Sequence, residues 1–393
     1  MMPAASRITF VSLVGFLSTF NSVTQITRPV QNTVNNFYTV PALDIETLGR
    51  RASDRWLDLN RLQAVACNLC GENDTQTFGV MSRFKIPLNS VICRRCGLMY
   101  LNPRMSTDQY AVFYKETYRK FIRNRRSTEE IFEEEEKEGQ DILAFCSSIL
   151  KPGTKVVDIG CGPAGTLSYL KSKGFEVLGV EPSQKESTFA KDRGIPVISK
   201  MLEDINPKEV QADMAILSRS LNHFADPSRS LTRLRDFLAP EGLLFLKLLD
   251  YPAQCHFGLI QECSQADHLY MFCPETSRAM LNKAGFQVLK MTTNENAIEG
   301  LTSLWHEPKY HIRILARKTA LPAVPSWPQS NTILERVHRG QLMFKIRRLR
   351  FFSTYRHWAA VLIRRLFGEK FFLTLKKSLP QTAKNHHRTH LSE

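Results

Sequence analysis

From Lys155 onward, short apolar runs alternate with segments of helical period. KVVDI at 155–159 reads as a buried strand, GCGPAG at 160–165 as a glycine loop, Thr166 to Lys173 as a helix and EVLGV at 176–180 as a second strand. The pattern then gives a strand at Met214 to Leu217, a polar loop, a helix at Pro227 to Phe237, a Pro-Glu-Gly turn and a strand at Leu243 to Leu248. A helix starting near Pro274, a strand after AGF and a last strand, HIRILARK at 311–318, complete the series. Alternation of this kind predicts an α/β domain built on a parallel sheet. Upstream, Ile131, Ile142, Phe145 and Ile149 recur at helical spacing behind Ser127 or Thr128 with Glu130, a helix start. The acidic run inside that helix is expected to be a solvated face. Downstream, Leu342, Ile346, Leu349 and Phe352, then Trp358, Leu362 and Leu366, keep helical spacing with arginines between them.

Charge changes this picture only at one end. The net charge of +15 suggests nucleic acid, yet residues 331–393 hold 14 Lys and Arg against three acids and carry most of it. The basic segment therefore describes a tail: an amphipathic helix suited to an anionic membrane surface, to RNA, or to packing on its own protein. The first 43 residues have Arg7 and Arg28, no acid, and a 13-residue apolar run at 8–20, too short to span a bilayer. An extension or interfacial segment is the first reading there, and a targeting peptide, including an organellar transit peptide, the second.

Of nine cysteines, four are regularly paired: Cys67-Asn-Leu-Cys70-Gly71 and Cys93-Arg-Arg-Cys96-Gly97, with 22 residues between the pairs. The glycine after each second thiolate permits a turn that aims backbone N–H groups at sulfur. Four thiolates suit tetrahedral zinc and leave no open position for water, so the site is expected to be structural. The odd count without a dispersed framework argues for a reducing compartment.

GCGPAG also satisfies the dinucleotide fingerprint, so by itself the loop does not choose between NAD and another adenosine cofactor. Its setting does. VVDIGCGPAG, the acidic strand end VLGVEPS, LNHFADP and LAPEGLLFL together resemble the class I S-adenosylmethionine-dependent methyltransferases over about residues 140–318. A Cys-x-x-Cys-Gly clip ahead of that core, with HLYMFCPETSRAMLNKAGF after the fifth strand, resembles the zinc-containing sugar methyltransferases, including those that methylate carbon on nucleotide-linked keto sugars. The resemblance implies a Rossmann-like seven-stranded sheet with an antiparallel last strand, a zinc lid beside the substrate cleft, and methyl transfer. The chain departs from that pattern at its C-terminus, where a basic tail stands in place of a further α/β domain.

The implied organisation is an extension at 1–60, a four-cysteine module at 61–105, a helical linker at 106–150, the catalytic domain at 151–318 and a basic helical tail at 319–393. Gly160, Gly162 and Gly165 would let the amino-acid part of the cofactor approach, with Asp158 contacting it, Glu181 holding the ribose and Asp204 or Glu203 near adenine. His223 in SLNHFADP and His268 in ADHLYMF are candidates for the general base, since imidazole titrates near neutrality, and Tyr270 for positioning a substrate hydroxyl. Tyr114 and Tyr118 are candidates for closing over the cofactor or for an aromatic staple, and Cys161 for packing. Ordinary structural roles stand beside these: a strand-end acid for Asp158 and Glu181, a solvated loop for Glu203 and Asp204, a backbone hydrogen bond for either histidine.

Three readings follow. The first is a methyltransferase acting on a nucleotide-linked or lipid-linked sugar, cytoplasmic and peripheral to a membrane. The second is an RNA or protein methyltransferase that grips its polymer with clip and tail. It lacks the Asn/Asp-Pro-Pro-Tyr type of motif and has few aromatics for stacking. The third is a non-catalytic cofactor fold, against which the intact loop and Glu181 argue.

Overall fold

A computed structural model describes residues 58–348 apart from 83–85, 114–126, 257, 259, 294–309, 321 and 323–325. The N-terminal apolar run, Tyr114, Tyr118 and the tail from 349 onward lie outside the described residues. The elements in chain order are β1 (Thr75–Gly79), β2 (Ser90–Cys93), β3 (Met99–Leu101), α1 (Thr107–Val112), α2 (Thr128–Cys146), β4 (Lys155–Ile159), α3 (Gly165–Ser172), β5 (Glu176–Val180), α4 (Gln184–Asp192), β6 (Val197–Ile198) and β7 (Ala212–Ser218). After these come α5 (Pro227–Phe237), β8 (Leu238–Leu249), α6 (Tyr251–Gln254), α7 (Ile260–Cys263), β9 (Tyr270–Met271), α8 (Pro274–Lys283), β10 (Phe286–Thr292), β11 (His311–Lys318) and α9 (Ser330–Arg348).

Seven strands form the main sheet in the order β10-β11-β8-β7-β4-β5-β6. The five from β6 to β8 run parallel, and β11 lies antiparallel between β8 and β10. Because side chains alternate across a strand, Val157, Ile159, Ala215, Leu217, Leu244 and Leu246 feed one core, while Val156, Met214, Ile216 and Phe245 feed the other. The second core is closed by α2 and α3. α2 begins in a capping box: the Ser127 hydroxyl accepts from Glu130 N–H at 3.1 Å, and the Glu130 carboxylate accepts from Ser127 N–H at 2.7 Å. α2 then crosses α3 so closely that a methyl group at Gly165 would overlap the Phe132 carbonyl.

The first core continues into the cysteine module. β1, β2 and β3 form an antiparallel sheet whose fourth strand is β9, contributed from the segment after β8. Both knuckles dock on later parts of the chain. Lys283 of α8 donates to the carbonyls of Asn68 and Leu69 at 2.9 Å, and the Asn68 side chain meets Asp226 and Ser228 at the start of α5. At the second knuckle, Ser330 donates to the Arg94 carbonyl at 2.7 Å.

That contact belongs to α9, the described beginning of the basic tail. Ile333, Leu334 and Val337 are buried in the first core, and Gln341 donates to the carbonyls of Cys255 and Gly258. Leu342, which the helical spacing placed on an apolar stripe, is 58% exposed. No helix among the described residues is long and apolar enough to cross a membrane.

Ile333 is 1% exposed. Ile333→Ala is therefore expected to cost about 2–5 kcal/mol in urea denaturation, as for other large-to-small core changes. An effect within about 0.5 kcal/mol, the usual range for a surface substitution, would show that α9 is not anchored there.

Candidate functional site

The parallel strands end on one side of the sheet, where three acids converge. Asp158, the fourth residue of β4, is 5% exposed, and its carboxyl is pushed up to about 8, first by burial and then by the negative charges of Glu138 and Glu181. Glu181 follows β5 and accepts from Gly162 N–H at 3.0 Å and Ser183 N–H at 2.7 Å. Gly160 and Gly162 sit at φ +75° and +55°, so the loop keeps a backbone that a side chain would strain. Gly165 opens α3, and its N–H donates at 3.1 Å to Glu135, which reaches over from α2. Cys161 is buried beneath the loop. Of the acids proposed near adenine, Glu203 accepts from Ser230 at 3.2 Å, whereas Asp204 is exposed in a short helical turn. A cofactor carrying positive charge fits a loop ringed by carboxylates; the pyrophosphate of a dinucleotide would meet repulsion here.

The acidic run of α2 is not uniformly solvated. Glu133 and Glu134 face solvent, but the helical period turns Glu135 and Glu138 inward. Glu138, 8% exposed, bonds the Ser218 hydroxyl, Arg219 at 2.8 Å and Lys247 at 2.9 Å. Burial opposes its charge, yet Arg219, Lys247 and the Ser218 hydroxyl hold its carboxyl down at about 2. The acidic pattern EEEEKE at 133–138 concealed this, because only the registration of the helix on the sheet separates one glutamate from the next.

The two histidines, distant in sequence, meet. His223 lies in a helical turn after β7 and His268 in the segment before β9, with ring centroids 4.9 Å apart and planes at 76°. Between them stands Asp267, whose side chain is 4% exposed; its carboxylate is 3.7 Å from His223 Nδ1 and 3.9 Å from His268 Nε2. His223 Nδ1 lies 2.9 Å from the Asp267 carbonyl, which can only accept, so this nitrogen donates, and in a neutral ring the lone pair would lie on Nε2. Sequence reasoning passed over Asp267, although its place beside His268 in ADH was a usable signal. Tyr270 is 2% exposed; its hydroxyl accepts from Arg104 at 2.9 Å and donates to the Ala225 carbonyl at 3.1 Å. It thereby ties β9 to the loop that carries His223.

The cysteine module and the helix α1 that follows it hold this segment from several points. Ser90 and Ser264 share a hydrogen bond of 2.7 Å, Tyr110 of α1 donates to the Ala266 carbonyl at 3.1 Å, and Leu101 N–H donates to the Leu269 carbonyl at 3.0 Å. The four sulfurs of Cys67, Cys70, Cys93 and Cys96 lie within 4.8 Å of one another, with Cys67 to Cys96 and Cys70 to Cys93 each at 3.4 Å. Tetrahedral zinc with Zn–S bonds of about 2.3 Å needs sulfurs about 3.8 Å apart, so the donor set fits that ion.

Residues 130–291 match a family model described as a methyltransferase domain. The chain is 26% identical over 204 residues to C-methyltransferase NovU of Streptomyces niveus, covering 50% of this chain and 45% of that protein. It is 32% identical over 104 residues to the ubiquinone biosynthesis O-methyltransferase of Bradyrhizobium diazoefficiens, covering 25% of this chain and 41% of that one. It thus spans less than half the length of these curated relatives. Among solved structures, the 1,6-didemethyltoxoflavin-N1-methyltransferase of Burkholderia thailandensis aligns with 56% of this chain and 96% of its own at 16% identity and a TM-score of 0.42.

The Asp158 carboxyl, raised from 3.8 to about 8, gives a pH signature with a defined sign. The folded protein holds this proton more tightly than the unfolded chain, so its contribution to stability is present below about pH 4 and lost as pH rises through about 8. Asp158→Asn should flatten that part of the stability profile in thermal denaturation of the cofactor-free protein. An unchanged slope between pH 4 and about 8 in the variant would remove Asp158 as its source.

Proposed function

We propose that the protein, whose residues 130–291 match a methyltransferase domain, transfers the methyl group of S-adenosylmethionine to a sugar or glycoconjugate precursor, with carbon beside a ketone as the favoured acceptor atom. The observation that carries this reading is the pair of imidazoles around Asp267 at the end of the sheet where the glycine loop lies. A sulfonium cofactor supplies its own electrophile, leaving the protein to bind, align and manage one proton. The acids ringing the loop would hold it: Asp158 toward the amino-acid part, Glu181 at the ribose, Asp204 toward adenine, with Gly160, Gly162 and Gly165 admitting it to the backbone.

Proton removal falls to an imidazole. His223 presents Nε2 as its basic nitrogen, and the negative charge of Asp267 stands beside both rings, where it stabilises an imidazolium formed by proton abstraction. Such chemistry suits an acidic proton next to a ketone or a sugar hydroxyl. The similarity to a C-methyltransferase supports the first. His268 serves as base or as the partner that orients the acceptor, and Tyr270, through Arg104 and the Ala225 carbonyl, fixes the wall on which it sits. Cys67, Cys70, Cys93 and Cys96 would hold zinc in a structural role, where it would stiffen the module that grips residues 264–270. A small or lipid-linked acceptor agrees with so enclosed a proton-handling pair, and the basic segment after α9 supplies an anionic-surface contact.

Titration calorimetry should show S-adenosylmethionine binding and no comparable binding of NAD. Glu181→Ala should weaken the cofactor by about 1.5–3 kcal/mol, the worth of a hydrogen bond to a charged group. NAD as the sole ligand would reverse the assignment.

With a 4-keto sugar nucleotide as acceptor, His223→Ala and His268→Ala are each expected to lower turnover by about 10²–10⁴ while cofactor binding persists. If His223→Ala keeps full activity and His268→Ala does not, the base is His268. Metal analysis should return about one zinc per chain, lost in Cys93→Ser; full occupancy in that variant excludes the four-thiolate site.

A further inference from the structure

On the sheet face covered by α2, one transverse row is polar. Ser218 on β7, Lys247 on β8, Arg313 on β11 and Thr292 on β10 are successive register partners, and partners across a ladder point to the same face. The next row inward, Ile216, Phe245 and Leu315, is buried and apolar. The polar row thus forms the rim of the core at the end of the sheet that also carries the glycine loop.

Its two halves are treated differently. Ser218 and Lys247 are bonded by Glu138. Arg313 has no carboxylate partner among the described residues: its guanidinium lies 5.3 Å from the centre of the Phe145 ring, and its buried Nε makes no hydrogen bond. The buried Thr292 hydroxyl, its cross-strand neighbour, is likewise unsatisfied. Buried donors without partners are rare in folded proteins because each costs free energy. Here two are adjacent, and Arg313 lines a cavity of about 110 Å³ with Lys247 and His311 on the sheet side and Glu138, Asp141 and Ile142 on α2.

We propose that this cavity is an oxyanion site that takes a phosphoryl group, held by the Arg313 fork with Lys247 at its side, and that the unsatisfied hydroxyl of Thr292, the register partner of Arg313 just outside the cavity lining, turns to the same group. The local charge permits it. Glu138 is already offset by Arg219 and Lys247, and Asp141 is exposed, so Arg313 is a cation of the cavity lining without a carboxylate partner among the described residues. A guanidinium matches the planar spread of phosphate oxygens better than a point charge does, and the threonine adds a neutral donor from the neighbouring strand. The phosphoryl group belongs either to free phosphate or to a phosphorylated acceptor. The second source rests on the function proposed above; the site itself does not.

The test uses the full chain and measures binding, with no methyl transfer involved. Inorganic phosphate and a nucleoside diphosphate are titrated separately by calorimetry into the parent, Arg313→Gln, Arg313→Lys and Thr292→Val. The parent should bind phosphate, Arg313→Gln should bind it about tenfold or more weakly, and Arg313→Lys should fall between, having charge without the fork. Thr292→Val should lose a smaller part. S-adenosylmethionine affinity and melting temperature serve as folding controls and should not change. Tighter binding of the diphosphate, lost together with phosphate binding in Arg313→Gln, assigns the site to the acceptor; equal binding of the two assigns it to free phosphate. The proposal is overturned if the parent binds neither anion or if folded Arg313→Gln binds them as the parent does.

Discussion

A pairing of two short strands holds the two halves of this protein in register. β3 of the cysteine module and β9, which follows the last parallel strand β8, exchange backbone hydrogen bonds, with Met99 opposite Met271 and Tyr100 opposite Tyr270. Strand pairing fixes the alternation of side chains as well as their position, so Asp267 and His268, immediately upstream of β9, inherit their placement from it. Ser90, Leu101 and Tyr110 add three further ties to the same segment. A four-cysteine cluster near the start of the described chain is therefore tied to a segment some 170 residues later. Rigidity at the knuckles is thereby passed on to the position of Asp267 and His268.

At the other side of the cleft the governing force is electrostatic. Glu138 and Glu181 stand close enough to Asp158 to raise its cost of ionisation, while Glu138 itself is offset by Arg219 and Lys247. Burial drives the Asp158 carboxyl toward its neutral form. Such a cluster costs stability, as is expected of a binding site more than of a core.

α2 connects these features. One face closes the core through Ile142 and Phe145, while the same inward side sends Glu135 to the loop and Glu138 to the row of cations at the strand ends. The close crossing at Gly165 makes α2 a rigid extension of α3, so the helix that caps the sheet also sets the charge of the site.

Local sequence determined much of this. Helix α5 and strands β4, β5 and β11 have the bounds that period and punctuation predict, because each satisfies its own backbone and presents an unambiguous apolar face. The doubled Cys-x-x-Cys-Gly spacing marked four sulfurs that do come together, since a knuckle is a local turn. The glycine loop and the acids at its strand ends were legible for the same reason. Tertiary structure alone decided what depends on contact between distant segments. β9 is two residues long and has no pattern of its own, so the fourth strand of the module was invisible until β3 offered it an edge. The partners of Glu138, the meeting of His223 with His268 around Asp267, and the unmatched Arg313 beside Thr292 arise from register across elements scattered from residue 138 to residue 313, a quantity that composition and period do not encode.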